Sequence, residues 1–188
     1  GVNPVSIQRN QPRAQARFAE LLADPAHHKV TEYAQQLRHQ LGPYAPADTV
    51  TAELRRLDVD PNTETAHALL YLAGPYKLHD GWFDNTTAAG RQHAAAAINA
   101  VLDRSPAPSA ETLTRALTAL GIPHDTAHTY LHSRKDLRHF GNTWVRWGHT
   151  SADKAEAVLH ARGTPATTED ILETIGTNTI TLRPFRDI

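Results

Sequence analysis

"TAHALLYLAGPYKLHDGWF", residues 65–83, decides the fold, because a near-copy, "TAHTYLHSRKDLRHFGNTW", occupies residues 126–144. Each copy reads as a short helix, a break, and two strands around a tight turn ending in Trp82 or Trp144. Ala66, Leu69, Leu70 and Ala73 recur at helical spacing in the first copy, matched by Ala127, Tyr130 and Leu131 in the second. Asp80-Gly81 is a strong two-residue hairpin signal, since Gly takes positive φ without strain, and Gly141-Asn142 holds the equivalent place.

A second phrase precedes each copy: "APADTVTAEL" around Pro46 and "APSAETLTRAL" around Pro108. It returns as "TPATTEDILETIG" around Pro165. Self-similarity at a fixed spacing, here about sixty residues, marks repeated supersecondary units. Each repeat opens with an amphipathic helix: Val30, Tyr33, Ala34 and Leu37; Ala94, Ala97, Ile98 and Val101; Ala155, Val158 and Leu159. A proline-containing link follows, since proline breaks a helix but is tolerated at its start. The second helix then offers Val50, Leu54 and Leu57, or Leu113, Leu117 and Leu120, or Ile171 and Ile175, with Ser109 and Thr167 or Thr168 as caps. Breaks are expected at 58–61, 121–123 and 176–178, each before a third helix.

Three helices and a hairpin make the winged helix-turn-helix plan. The expectation is a mainly α chain of tandem winged helix-turn-helix units with short two-stranded β-wings. Residues 1–24 are expected to form an N-terminal helix or linker containing "RAQARFAELLAD", residues 25–88 unit one, 89–149 unit two, and 150–188 an incomplete unit three.

Composition narrows the function. Hydrophobic residues make up 40% of the 188, enough for a folded, soluble core rather than a disordered chain. There is no cysteine, which excludes disulfides and thiolate-bound zinc. No apolar run reaches the roughly 20 residues of a membrane span and no secretory leader is visible, so no membrane partner and a cytoplasmic location are expected. The absence of methionine and the start at Gly1 suit a segment of a longer polypeptide. Net charge is −1 and unevenly spread: residues 1–88 sum to −2, residues 89–149 to +3, residues 150–188 to −2. A protein coating nucleic acid by charge alone is excluded, and the middle repeat is the basic one.

"RGTPATTEDILETIG" after an amphipathic helix resembles the opening of the HARE-HTH type of winged helix, found in bacterial RNA polymerase delta subunits and chromatin proteins. "LAGPYKLHDGWF", "LRHFGNTWVRWG" and "AEAVLHARGTPATTEDILETIG" are together similar to the C-terminal winged-helix units of large actinobacterial sigma-factor-like regulatory proteins. The similarity covers roughly residues 43–188 and rests on structural phrases, not catalytic signatures. It departs from the family in showing no sigma region 4 and no wing in unit three. It implies transcription regulation, with DNA and RNA polymerase or another regulatory protein as partners.

Two sites compete for unit two. "HDTAH", residues 124–128, differs from the zinc-protease pattern H-E-x-x-H by Asp125 for Glu, and His132 lies one turn further on. Asp is a methylene shorter than the base that mechanism uses, and only His67 matches this stripe in unit one, where Thr63 and Tyr71 stand for His124 and His132. No metal, cofactor or enzymatic activity is therefore expected. The other site is a DNA surface, since a winged helix lays its third helix in the major groove and its wing on phosphates. Its candidates are His128, Thr129, His132, Ser133, Arg134 and Lys135 on or after the helix, with Arg138, His139, Asn142 and Arg146 in the hairpin. Four cations correspond to a salt slope of about −3.6. Trp82 and Trp144 are expected to fold over the small cores, and Trp147, at the start of the link into unit three, to pack between units.

Overall fold

The computed structural model describes Glu20 and residues 24–180, so the helix expected in "RAQARFAELLAD" lies outside the described residues apart from Glu20 and Asp24. The described chain is mainly helical with two small antiparallel sheets. It divides into two compact units between Gly90 and Arg91, two residues beyond the expected boundary.

In the first unit a single 3-10 turn, Pro25–His27, leads into α1 (His28–Leu41). Ala34, Leu37 and Leu41 form its buried stripe. Val30 and Tyr33 were expected on that stripe but are 37% and 39% exposed, because the packed part of the helix begins at Ala34. Strand β1 (Tyr44–Pro46) follows, then α2 (Ala47–Arg56), whose N-cap position is Pro46. Proline at that boundary costs no helical hydrogen bond. Val50 and Leu54 are buried, and Leu57 is half-buried beyond the helix end. Asp58, at φ 59°, starts the break.

Helix α3 (Glu64–Ala73) is capped by the Thr63 hydroxyl, which accepts from the Ala66 amide, and buries Ala66, Leu69, Leu70 and Ala73 as the spacing predicts. Arg38 donates to the carbonyls of Ala73 and Leu72, which a helix C-terminus leaves without partners. The hairpin β2 (Tyr76–His79) and β3 (Trp82–Asn85) closes through Asp80-Gly81, both at positive φ, as a type I′ turn requires. β1 adds to β3, giving sheet order β1-β3-β2. The Tyr76 hydroxyl donates to the Gly42 carbonyl at 2.5 Å, and burial pushes its pKa up to about 12.

The second unit follows the same order. Helix α4 (Gly90–Arg104) buries Ala94, Ile98, Val101 and Leu102, with Ala97 half-buried. Helix α5 (Ala110–Thr118) is capped by Ser109, which accepts from the Thr112 amide. Leu113 and Leu117 are buried, whereas Leu120 is 37% exposed and Ile122 takes the buried place expected for it. Helix α6 (His124–Ser133) and the hairpin β4 (Leu137–Phe140) and β5 (Thr143–Arg146) complete the order. The counterpart of β1 shrinks to one bridge, Ser109 with Thr143. The Pro108 carbonyl accepts from the Trp144 amide at 2.9 Å, but Pro108 stands where unit one has Ala45 and, lacking an amide hydrogen, donates nothing back to the hairpin. Only Gly141 has positive φ in this turn, as in a type II′ loop, so the two hairpins reach the same length by different chemistry.

The second compact unit also takes in α7 (Ser151–Arg162) and α8 (Thr168–Ile180), the helices assigned from sequence to a third repeat. Each begins with a reciprocal cap, Thr150 with Asp153 and Thr167 with Asp170, which holds both carboxyls below the usual range. Val158 and Ala157 are buried, Ala155 is half-buried, and Leu159, expected inside, is 40% exposed. Ile171 and Ile175 pack with Phe140 against a cluster of Val145, Trp147, Ala157 and Val158. The break expected at 176–178 is absent: α8 runs through Gly176, a residue that weakens a helix without ending one.

Candidate nucleic-acid interface

Helix α6 starts without a side-chain cap at Pro123, whose carbonyl accepts from the Ala127 amide at 2.8 Å. Its inner face buries Thr126, Ala127, Tyr130 and Leu131. The outer face exposes His124, Asp125, His128, Thr129 and His132, with Ser133 exposed at the helix end. The Thr129 hydroxyl donates to the Asp125 carbonyl at 3.0 Å and the Ser133 hydroxyl to the Tyr130 carbonyl at 2.7 Å, leaving each an oxygen able to accept.

The histidines form a connected line. Ring centroids are 5.4 Å apart for His124 and His128, 6.2 Å for His128 and His132, and 5.3 Å for His132 and His139. His139 stands opposite Trp144 in the hairpin register, and the indole meets His132 edge-on at 5.1 Å and His139 at 5.2 Å. Trp144 is thereby buried to 4% exposure, as expected of a wing aromatic folded over a small core. Trp82 is half-buried and stacks on Tyr44 at 4.8 Å. Desolvation, then His139 and His128, lower the His132 pKa from its ordinary value. Among the described residues, no group of three or more His, Asp or Glu is arranged to hold a metal ion.

The cations differ in how free they are. Arg134 is committed: Nε and Nη2 donate to the two Asp136 carboxylate oxygens at 2.7 and 2.5 Å, and Nη1 to the Tyr130 hydroxyl at 3.0 Å. The bidentate bond to Asp136 raises the Arg134 pKa further and holds the Asp136 carboxyl below its usual range. Arg138 donates to the Leu137 carbonyl at 2.7 Å and lies 5.9 Å from the Trp147 ring centroid. Arg146 pairs with Asp103 at 2.6 Å and donates to the Asn99 carbonyl at 3.2 Å, while its side chain stays half-exposed. It also lines a cleft of about 310 Å³ with Leu102, Val145, Glu156 and His160. Lys135 is exposed, and so is Asn142, whose carbonyl accepts from the Ala110 amide.

Reading the sequence missed the two carboxylates that occupy candidate arginines. Asp136, two residues after Arg134, carries a local signal for its pair; Asp103, far away in the chain, carries none. The chain matches no family model, no curated protein and no solved structure. No helix among the described residues is long and apolar enough to cross a membrane.

Proposed function

We propose that the chain is a DNA-binding, non-catalytic part of a cytoplasmic transcription regulator, built of tandem winged-helix units, with the α6 helix and its hairpin as the main contact. One observation carries the reading. The outer face of α6 and the adjoining hairpin present His124, His128, Thr129, His132, Lys135, Arg138, His139 and Asn142 as polar surface, and residues 124–149 have a net charge of +2 before any histidine is charged. A third helix followed by a short hairpin is how winged helices meet the major groove and flanking phosphates. The resemblance of residues 43–188 to sigma-factor-like proteins supplies the transcription setting.

Arg134, only 18% exposed along its side chain, is a poor phosphate ligand, which leaves Lys135, Arg138 and Arg146. Three contacts correspond to a salt slope of about −2.7. A gel-shift titration of the full chain across salt tests this: affinity should fall with that slope, and K135A should reduce it by about 0.9. No binding even at low salt refutes the reading.

A second reading is docking of a regulator to RNA polymerase or another protein. It is favoured by the guanidinium groups of Arg134, Arg138 and Arg146 being already engaged, and by Tyr71 and Leu78 standing 59% and 55% exposed on the first unit. Co-purification with RNA polymerase that survives nuclease treatment, together with no DNA shift, would select it.

A further inference from the structure

Five of the twelve histidines lie between His124 and His149, and four of those, His124, His128, His132 and His139, form the single line of rings that ends on Trp144. All four are exposed, and only His132 and His139 cover the core, at Trp144, so packing does not account for the line as a whole. Each ring of the line sits against another ring of the same kind, so positive charges placed on neighbouring rings repel each other.

The surroundings offer little compensation. On α6 itself Asp125 lies 3.5 Å from His124, at the end of the line away from Trp144. Asp136, just past the helix, is held by Arg134. On α5, which packs against α6, the charged groups are Glu111 and Arg115, and they pair with each other at 2.5 Å. On the hairpin, Arg138 adds positive charge, and Arg146 is paired with Asp103 of α4. Among the described residues no carboxylate pairs with His128, His132 or His139. The line therefore lacks a counter-ion that an external polyanion would supply.

We infer that His124, His128, His132 and His139 form a proton-linked anion contact, on which a DNA phosphate backbone sits and which takes up protons as DNA binds. Linkage then makes binding and protonation reciprocal: acidification tightens DNA, and DNA holds protons on the imidazoles. This inference rests on the DNA reading above and adds its regulation by pH.

The test uses the full chain and a fluorescent DNA duplex at constant ionic strength, at about pH 8 and about pH 6, either side of the ordinary histidine range. Dissociation constants should fall by about tenfold or more on going to the lower pH, since each proton taken up contributes up to about tenfold per pH unit. The triple variant H128Q, H132Q, H139Q should lose the pH dependence, while His67→Gln in the first unit changes neither the affinity nor its pH dependence. Circular dichroism at both pH values establishes that the variants stay helical. Independently, calorimetry of the unaltered chain in two buffers of different ionisation enthalpy should read net proton uptake on binding. Affinity that ignores pH, a pH dependence undiminished in the triple variant, or zero proton uptake overturns the inference and leaves DNA binding standing. No binding at either pH overturns both.

Discussion

The two helix-and-hairpin segments, residues 63–87 in the first unit and 124–149 in the second, share an order of elements and differ in their surfaces. Both bury a helix stripe, Ala66, Leu69, Leu70 and Ala73 in one, Ala127, Tyr130 and Leu131 in the other, and both place a tryptophan in the returning strand. The first segment has a net charge of −2 and exposes Tyr71 and Leu78; the second has +2 and exposes the imidazole line. Packing constrains the inner positions of a small unit and leaves the outer ones free, so one plan can carry two surfaces. The tryptophans follow the same division. Trp82 stacks on Tyr44 at the sheet, whereas Trp144 is enclosed by His132 and His139 and belongs to core and surface together.

The largest expected effect tests that last difference. Trp144→Ala should cost about 3–5 kcal/mol, read as a lower thermal midpoint by circular dichroism, and Trp82→Ala should cost distinctly less because its ring is only half-buried. Equal losses would mean that the tryptophans do the same job. Gly90→Ala comes next: a Cβ there would collide with the Pro43 carbonyl oxygen, so the backbone must move, at about 1–3 kcal/mol in urea unfolding. Arg134→Ala should cost about 1 kcal/mol, more than Arg115→Ala, whose pair with Glu111 is exposed on both sides. In DNA binding the order should reverse against Lys135, with K135A weakening affinity more than R134A.

A smaller effect separates the segments by pH. The His132 pKa is lowered from 6.5 in the native chain, so the unfolded chain takes up that proton first as pH falls. Stability is full above that value and declines as pH drops below it toward the native pKa. Asp136 acts further down: its lowered pKa gives stability present above 3.8 and lost as pH falls below that value through the native one. Denaturant midpoints measured across this range should sag first near the histidine value, and His132→Gln should remove that first sag alone.

Much of the inner structure was legible in the sequence. Helical spacing located the stripes of α3 and α6, and Asp80-Gly81 announced a turn whose two positive φ angles the structure displays. Periodicity was weaker at element ends, where Val30 and Leu120 continue an apolar pattern beyond the packed region, and at Leu159, which is exposed although Val158 and Ala161 beside it pack. It gave a wrong break at 176–178, because one glycine lowers helix stability by about 1 kcal/mol and the flanking Ile171 and Ile175 are anchored on the Trp147 cluster. The candidate surface was legible as a list of residue types but not as an arrangement. His132 meets His139 and Trp144 across two elements, and Arg146 meets Asp103 across more than forty residues of chain, so no local pattern encodes either.

We propose that the surface of the second unit, rather than that of the first, meets DNA. Binding of one duplex by the full chain should be measured at low salt with Lys135→Ala plus Arg138→Ala in the second unit, and separately with Lys77→Ala in the first. The double variant should show a several-fold loss and a shallower salt slope, and Lys77→Ala no change. Equal losses for both, or undiminished binding by the double variant, would contradict this proposal.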